Sequence, residues 1–435
     1  MIYQFIAEKT NADLDFDITL TPDKQVYCFI GENGCGKTQL LENLAKSLIF
    51  SSTIFGNVTI KNYKYITFFR QGDIYQKIGD FSLLLPKKIS INQTKVKNTA
   101  WDTIFLKDIN NIGIEDNEYV FDFPIVFITA KSRGYIQNID KNKVELLGSY
   151  EDRFLSAFTK TYKSIKNEIV EDNNLANWLN SRLLINPAFV KDNDDRIFEV
   201  EAFLDLLEML EPRFKNELKQ GAERLKNFSF AEGKLYFNQI PLDNLSTGFV
   251  SIFKIFQEII SGYGGWIGML GEKDIRNTQG VVLIDEIESH LHAKWQYKII
   301  PLLKSFFPKT TFYIATHSPL IVSATQEDEA YELVKTDNKV VSKKLGNPRN
   351  WYLADVFSQA FHVDFEDKNF EEETENQPSV LDLLKSYSEK VKNYTIKNDE
   401  NLKTEIEDLY QKILPNLGED DPRKRAIDSL KTLVK

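Results

Sequence analysis

Residues 31–38, Gly31-Glu32-Asn33-Gly34-Cys35-Gly36-Lys37-Thr38, set two glycines, a lysine and a hydroxyl at the spacing G-x-x-x-x-G-K-[ST]. That spacing can wrap a phosphate chain. The glycines let backbone N–H groups turn inward, Lys37 adds a full positive charge, and the Thr38 hydroxyl is a hard oxygen ligand for Mg²⁺. Gly31, Asn33, Gly34, Cys35, Gly36, Lys37, Thr38 and Gln39 are therefore the candidate phosphate-binding residues. A second group lies far downstream. Val281-Val282-Leu283-Ile284-Asp285-Glu286 reads as a buried strand ending in two carboxylates. Phosphate chemistry needs one carboxylate to hold Mg²⁺ and another to polarise the attacking water, and Asp285 and Glu286 suit those roles in that order. Adjacent carboxylates at a buried strand end are costly to desolvate without such a use. His317, in Thr316-His317-Ser318-Pro319 at the tip of another apolar run, is the candidate contact to a γ-phosphate. Leu245-Ser246-Thr247-Gly248 opens a long apolar helix. Ser246 reads as its N-cap and Gly248 as part of its first turn, which makes an anion site.

These groups need elements to hold them. Val26–Ile30 reads as the strand entering the glycine loop, and Gln39–Lys46 as the helix leaving it, with Leu41, Leu44 and Leu48 on one face. Leu14–Leu20 alternates apolar and polar residues, as half-buried antiparallel strands do. Residues 56–70 return to strand character and exit at Gln71, a candidate Mg²⁺ and γ-phosphate sensor. A stronger buried strand, Pro124–Ala130, exits into Lys131-Ser132-Arg133 and competes for that role. Residues 86–98, with Lys87, Lys88, Lys95 and Lys97, read as a solvated loop. From 150 to 227 the pattern is helical, with Phe154, Phe158, Tyr162, Ile165 and Ile169 on one face. Asp192–Asp195 lacks the glycine and closing glutamate of a calcium loop. Phe228–Ser229–Phe230 and Leu235–Tyr236–Phe237 flank Glu232-Gly233 as a hairpin, and Glu332–Val334 with Lys339–Val341 suggests another. The C-terminal region carries an acidic loop near 366–375 and amphipathic helices, with Leu402, Ile406, Leu409 and Ile413 on one face.

The composition bounds the function class. A net charge of −10 argues against a general nucleic-acid footprint, without excluding a local basic groove. Hydrophobic content of 42% with no apolar run of spanning length gives a soluble chain with no membrane partner, expected in the cytoplasm. Cys28 and Cys35 lie in a strand and in the loop, so they form no disulfide framework or zinc site.

Phosphate loop, glutamine, Leu-Ser-x-Gly, Asp-Glu and strand-end histidine occur in one order. That order resembles the ATP-binding-cassette ATPases, and within them the RecF and SMC-like group, including the OLD-type and Septu-type (PtuA) ATPases of bacterial anti-phage systems. Asp285-Glu286-Ile287-Glu288-Ser289-His290-Leu291-His292 carries the closest likeness. The resemblance implies an α/β fold: a P-loop ABC-type sheet with an antiparallel β subdomain, an inserted helical lobe and a helical C-terminal tail. The expected boundaries are 1–75 and 228–345 for the two parts of the ATPase domain, 76–227 for the insert and 346–435 for the tail.

The resemblance also implies the chemistry, Mg²⁺-dependent hydrolysis of ATP to ADP and phosphate. Two protomers, or a higher homo-oligomer, would sandwich the nucleotides head to tail. Lys37, Glu286 and His317 would be catalytic, while Thr38, Gln71 and Asp285 would hold Mg²⁺. Ser246 and Gly248 would reach the partner's γ-phosphate. Phe249 stands where many members carry Gln or Glu. No Toprim or His-rich nuclease pattern follows, so the expected role is a sensor or regulatory subunit controlling a separate effector nuclease, with the tail as a docking surface. A RecF/SMC-like repair ATPase that clamps DNA directly is the alternative. A transporter subunit fits the long insert poorly, and a non-hydrolysing scaffold does not fit an intact Glu286.

Overall fold

The computed structural model describes residues 2, 4–8, 14–50, 88–91, 94–96, 123–130, 133, 147–165, 175–184, 197–214, 224–225, 227–363, 380–397, 400–416, 422–432 and 434. Its strands are Gln4–Glu8 (β1), Asp15–Thr19 (β2), Val26–Ile30 (β3), Lys88–Ile91 (β4), Thr94–Val96 (β5), Ile125–Ile128 (β6), Phe228–Ala231 (β7), Lys234–Phe237 (β8), Ile240–Pro241 (β9), Gly280–Ile284 (β10), Thr310–Ala315 (β11), Ala330–Thr336 (β12) and Lys339–Lys344 (β13). Ten of them form one sheet in the order β5-β4-β1-β2-β13-β12-β3-β11-β10-β6, and β7-β8-β9 form a small antiparallel sheet. The fold is mixed α/β.

The sequence pattern explains where each strand sits. β3, β6, β10 and β11 are buried at every position and read as unbroken apolar runs, as parallel strands covered on both faces must. β3 pairs with β11, β11 with β10, and β10 with β6, all parallel. The register aligns Phe29 with Ala315, Ile314 with Ile284, and Ile284 with Ile128. The C-terminal ends of these strands are therefore level, which is where open α/β sheets collect their ligands. β2 alternates buried and half-exposed residues and pairs antiparallel with β1. The β12–β13 hairpin turns at Asp337-Asn338, with Asp337 at φ 54°, and each strand adds to the sheet in parallel, β12 to β3 and β13 to β2. Where they are described, at 88–91 and 94–96, residues 86–98 are strand and not the loop expected from their lysines. β4 and β5 pair antiparallel, and β4 adds antiparallel to the outer edge of β1.

The helices are Lys37–Phe50 (α1), Tyr150–Ile165 (α2), Leu175–Leu183 (α3), Ile197–Leu210 (α4), Thr247–Met269 (α5), Ala293–Phe306 (α6), Pro319–Ser323 (α7), Leu353–Phe361 (α8), Val380–Lys397 (α9), Glu400–Ile413 (α10) and Pro422–Lys431 (α11). α5 is apolar nearly all round and sits inside the core, with Ile252, Phe253, Ile255, Phe256, Ile259, Ile260 and Tyr263 fully buried. Each such side chain contributes about 1.5–3 kcal/mol of hydrophobic stabilisation. α2 packs on α5 at Gly265, where an added Cβ would lie 2.6 Å from the Phe154 backbone nitrogen. One continuous apolar cluster joins the sheet to α1, α2, α4, α5 and α6.

Residues Met1–Asp364 make one compact unit and Phe365–Lys435 a second. The second holds α9, α10 and α11 around Leu383, Tyr387, Val391, Tyr394, Ile406, Ile413 and Ile427, with Leu402 and Leu409 packed against them. The strand expected over 56–70, the acidic stretches at 192–195 and 366–375, and Tyr162 and Ile169 as side chains lie outside the described residues. No helix among the described residues is long and apolar enough to cross a membrane.

Candidate functional site

The glycine loop leaves β3 and closes into α1 through three glycines with positive φ: Gly31 at 146°, Gly34 at 80° and Gly36 at 100°. Gly31 has no alternative. A Cβ there would lie 2.7 Å from the Leu333 carbonyl oxygen and 2.9 Å from Cys35 Sγ. Lys37 is buried and folds back over the loop, its Nζ donating to the carbonyl oxygens of Gly31 (2.8 Å) and Glu32 (3.0 Å). Burial pulls the Lys37 ammonium below its usual range, opposed by Cys35, Asp285 and Glu288. Asn33 and Gly34 are exposed, while Cys35 is buried in the core and so lacks the access a redox switch needs. Gln39 Oε1 is buried and has no hydrogen-bond partner among the described residues.

β10 delivers the carboxylates to the same rim. Thr38 Oγ1 donates to Asp285 Oδ2 at 2.9 Å, across 247 positions of sequence. Burial raises the Asp285 carboxyl above its usual range, and the Thr38 hydrogen bond opposes that rise. A hydroxyl and a carboxylate oxygen in contact form a hard-oxygen donor pair of the kind Mg²⁺ takes. Glu286 is exposed and sits at φ 46°, a left-handed conformation that costs a non-glycine residue about 1–3 kcal/mol and persists only where its surroundings enforce it. Two sets of bonds enforce it. Ser289 donates its N–H to the Glu286 carbonyl oxygen (2.8 Å) and its hydroxyl to Glu286 Oε2 (3.0 Å). Arg133, which follows β6 and is fully buried, donates to the carbonyl oxygens of Asp285 (2.5 Å), Glu286 (2.6 Å), Ile287 (3.3 Å) and Thr129 (3.3 Å). Burial lowers the Arg133 pKa to about 10, so it stays charged at neutral pH.

β11 brings His317 to this rim, exposed. Partial desolvation first, then the charge of Lys37, holds its imidazole below the usual pKa and so neutral near pH 7. Its backbone is fixed by a residue the motif reading passed over. Glu288 accepts the His317 N–H (2.6 Å) and the Thr316 hydroxyl (2.6 Å), tying the β10 turn to the β11 tip. A third carboxylate within four residues of Asp285 was the available signal. Glu288→Ala is expected to lose about 1.5–3 kcal/mol of stability, the range for hydrogen bonds to a charged group. Urea denaturation of the variant against the parent measures this, and a loss below about 0.5 kcal/mol would mean the bridge adds nothing net.

Ser246 stands at the N-cap position of α5 but makes no side-chain capping bond, contrary to the expected cap, so its exposed hydroxyl and the first-turn N–H groups are uncapped by it. Gly248 backs onto the turn after β10. A Cβ there would meet the His290 carbonyl oxygen at 2.9 Å and the Trp295 ring at 3.7 Å. Phe249 turns inward, against Trp295, Phe253 and Phe214. The structure thus gathers the loop, Asp285, Glu286 and His317, while Gly248 lies against the His290 carbonyl of the turn after β10 and Ser246 is exposed. Gln71 and Lys131 lie outside the described residues. The strand that precedes Arg133 borders β10, not β3.

Comparison with known proteins gives three kinds of match. A family model described as "AAA domain, putative AbiEii toxin, Type IV TA system" matches residues 26–323. The Septu protein PtuA of Bacillus mycoides (strain KBAB4) is 23% identical over 372 residues, covering 83% of this chain and 44% of that one. The Retron Vc95 probable ATPase of Vibrio cholerae serotype O1 biovar El Tor is 33% identical over 116 residues, covering 27% of this chain and 21% of that one. The chain thus spans less than half the length of either relative. Among solved structures, an SMC head bound to the C-terminal winged-helix domain of ScpA aligns with 12% identity and a TM-score of 0.36, covering 79% of this chain and 98% of that one.

Proposed function

The chain belongs to the AAA-domain family described as putative AbiEii toxin, type IV toxin–antitoxin system, and on that premise we propose that it hydrolyses ATP between two head-to-tail copies of itself as the regulatory ATPase of an anti-phage complex. The observation that carries the reading is the Thr38–Asp285 contact. It joins the phosphate loop to the carboxylate strand at the level end of the parallel sheet. Lys37 would exchange the Gly31 and Glu32 carbonyls for the β- and γ-phosphate oxygens. Thr38 and Asp285 would hold Mg²⁺, with Gln71 as a further ligand; the metal, when bound, neutralises charge on the phosphates. Glu286, exposed beside the loop, takes a proton from the attacking water, and neutral His317 donates to the γ-phosphate. The uncapped start of α5, with Ser246 and Gly248, serves the partner copy's nucleotide.

The relatives named above belong, by name, to Septu and retron systems, which supports the defence role, with a separate nuclease proposed as the controlled effector. The helical unit at the C-terminus is assigned as its docking surface, and the cytoplasm as its site of action. The experiment is ATP turnover, nucleotide affinity and mass of the parent chain and of Lys37→Ala, with and without DNA. The parent should hydrolyse ATP and double its mass with it. The variant should bind ATP at least about 30-fold more weakly, the cost of deleting one partner of a buried charge pair. A parent chain that neither hydrolyses ATP nor associates in its presence overturns the reading. Turnover that depends strictly on DNA would favour a direct DNA clamp.

A further inference from the structure

Among the described residues of the site Arg133 is the fully buried guanidinium, and the proposed mechanism gives it no contact to the phosphates. Its hydrogen bonds go to main-chain carbonyls, and three of those belong to the consecutive residues Asp285, Glu286 and Ile287. The fourth, to Thr129, anchors the same side chain to the end of β6, while its own N–H donates to Ala130 O at 3.1 Å. Three successive carbonyls cannot point at one cation from a regular strand, because strand carbonyls alternate in direction. The chain converges on Arg133 only by bending, and the bend is the left-handed φ of 46° at Glu286. Beyond the bend, Ser289 and Glu288 complete the turn with bonds to Glu286 and to the β11 tip. The planar fork of Arg, with five donors, matches this task; a lysine ammonium can serve fewer acceptors over a smaller span.

We infer that Arg133 is a positioning residue for hydrolysis, which holds the Glu286 carboxylate in its reactive placement by gathering the carbonyls of residues 285–287. The inference rests on Glu286 acting as the base. It assigns β6 and its exit to the shaping of the general base, instead of to sensing of the γ-phosphate. Binding of ATP depends on the loop, on Lys37 and on the Asp285 carboxylate, and of these Arg133 touches only the main-chain carbonyl of Asp285. Positioning should therefore appear in kcat and leave the affinity for nucleotide alone.

The test compares Arg133→Lys and Arg133→Gln with the parent, each also in a Glu286→Gln background, by steady-state ATPase kinetics and by titration with ATP under non-turnover conditions. Arg133→Lys is expected to lower kcat roughly 10- to 100-fold, the effect of a displacement near 1 Å at a reacting group, with KM and ATP affinity within about twofold of the parent. In the Glu286→Gln background it should lower kcat no further, since there is no longer a base to place. An unchanged kcat overturns the inference, as does a rise in KM with kcat intact. So does an equal further loss in the Glu286→Gln background. If both Arg133 variants fail to fold, Arg133 is a residue of the fold and the inference also falls. If Glu286→Gln itself hydrolyses ATP like the parent, the underlying assignment of the base has failed, which the single variant reveals before Arg133 is considered.

Discussion

Replacing Glu286 by glutamine is expected to lower ATP turnover about 100- to 10,000-fold, the usual worth of a positioned general base. The substitution is nearly isosteric and keeps an oxygen to accept the Ser289 hydroxyl, which lies 3.0 Å from Glu286 Oε2 in the parent. It leaves Lys37, Thr38 and Asp285 intact, so nucleotide binding should persist. What it removes is the ability to take a proton from water. Blocking hydrolysis without blocking binding should also accumulate the ATP-bound dimer, seen as a doubled mass that disappears when ATP is withdrawn. Steady-state kinetics, equilibrium nucleotide titration and light scattering on the same preparation give the answer. A variant that turns over ATP within tenfold of the parent would move the base elsewhere.

The largest stability effect is expected away from the nucleotide. Glu199, on α4 and fully buried, accepts hydrogen bonds from Arg182 at 2.5 Å and Arg153 at 3.4 Å, and both arginines are themselves buried. Arg153 and Arg182 also lie over the rings of Tyr150 and Trp178. Glu199 packs on α5 at Gly264, where an added Cβ would lie 2.6 Å from Oε1. Glu199→Ala removes the carboxylate that two buried guanidinium groups share and opens a cavity beside α5. The expected loss is about 3–5 kcal/mol, as for removing one partner of a buried ion pair. Urea unfolding monitored by tryptophan fluorescence measures it, since Trp178 and Trp266 lie in the same cluster. A loss below about 1 kcal/mol would mean that the site relaxes or hydrates when the carboxylate is gone. The effect has a functional side, because α5 also carries Ser246 and Gly248 at its other end. A lobe loosened from α5 should weaken ATP-dependent association more than ATP binding.

How much of this was legible beforehand follows from the range of the interactions concerned. The phosphate loop could be read from residues 31–38 because glycine spacing, a lysine and a hydroxyl are local requirements, and the apolar runs on either side fixed β3 and α1. β10 and β11 were equally clear, since strands buried on both faces carry no alternation. Asp285, Glu286 and His317 could be named from their places at strand ends. Their meeting could not. Nothing in the one-dimensional pattern says that β11 lies between β3 and β10, or that β12 and β13 return to β3 and β2.

The sequence by itself determined the chemistry on offer: a phosphate cradle, a carboxylate pair and a histidine, each set by neighbours within about ten residues. The tertiary structure alone decided their geometry. It set Thr38 against Asp285 and Glu288 against the His317 backbone. It made Arg133, a basic residue leaving a strand, the clamp on the Glu286 turn. It paired Lys88–Ile91 with β1 and buried Glu199 between two arginines. The reason is physical. A motif reports what a residue can do with its own side chain. Burial, sheet order and backbone carbonyl direction depend on partners in other elements, from 17 to 247 positions away in these contacts, and they decide which of those capacities is used.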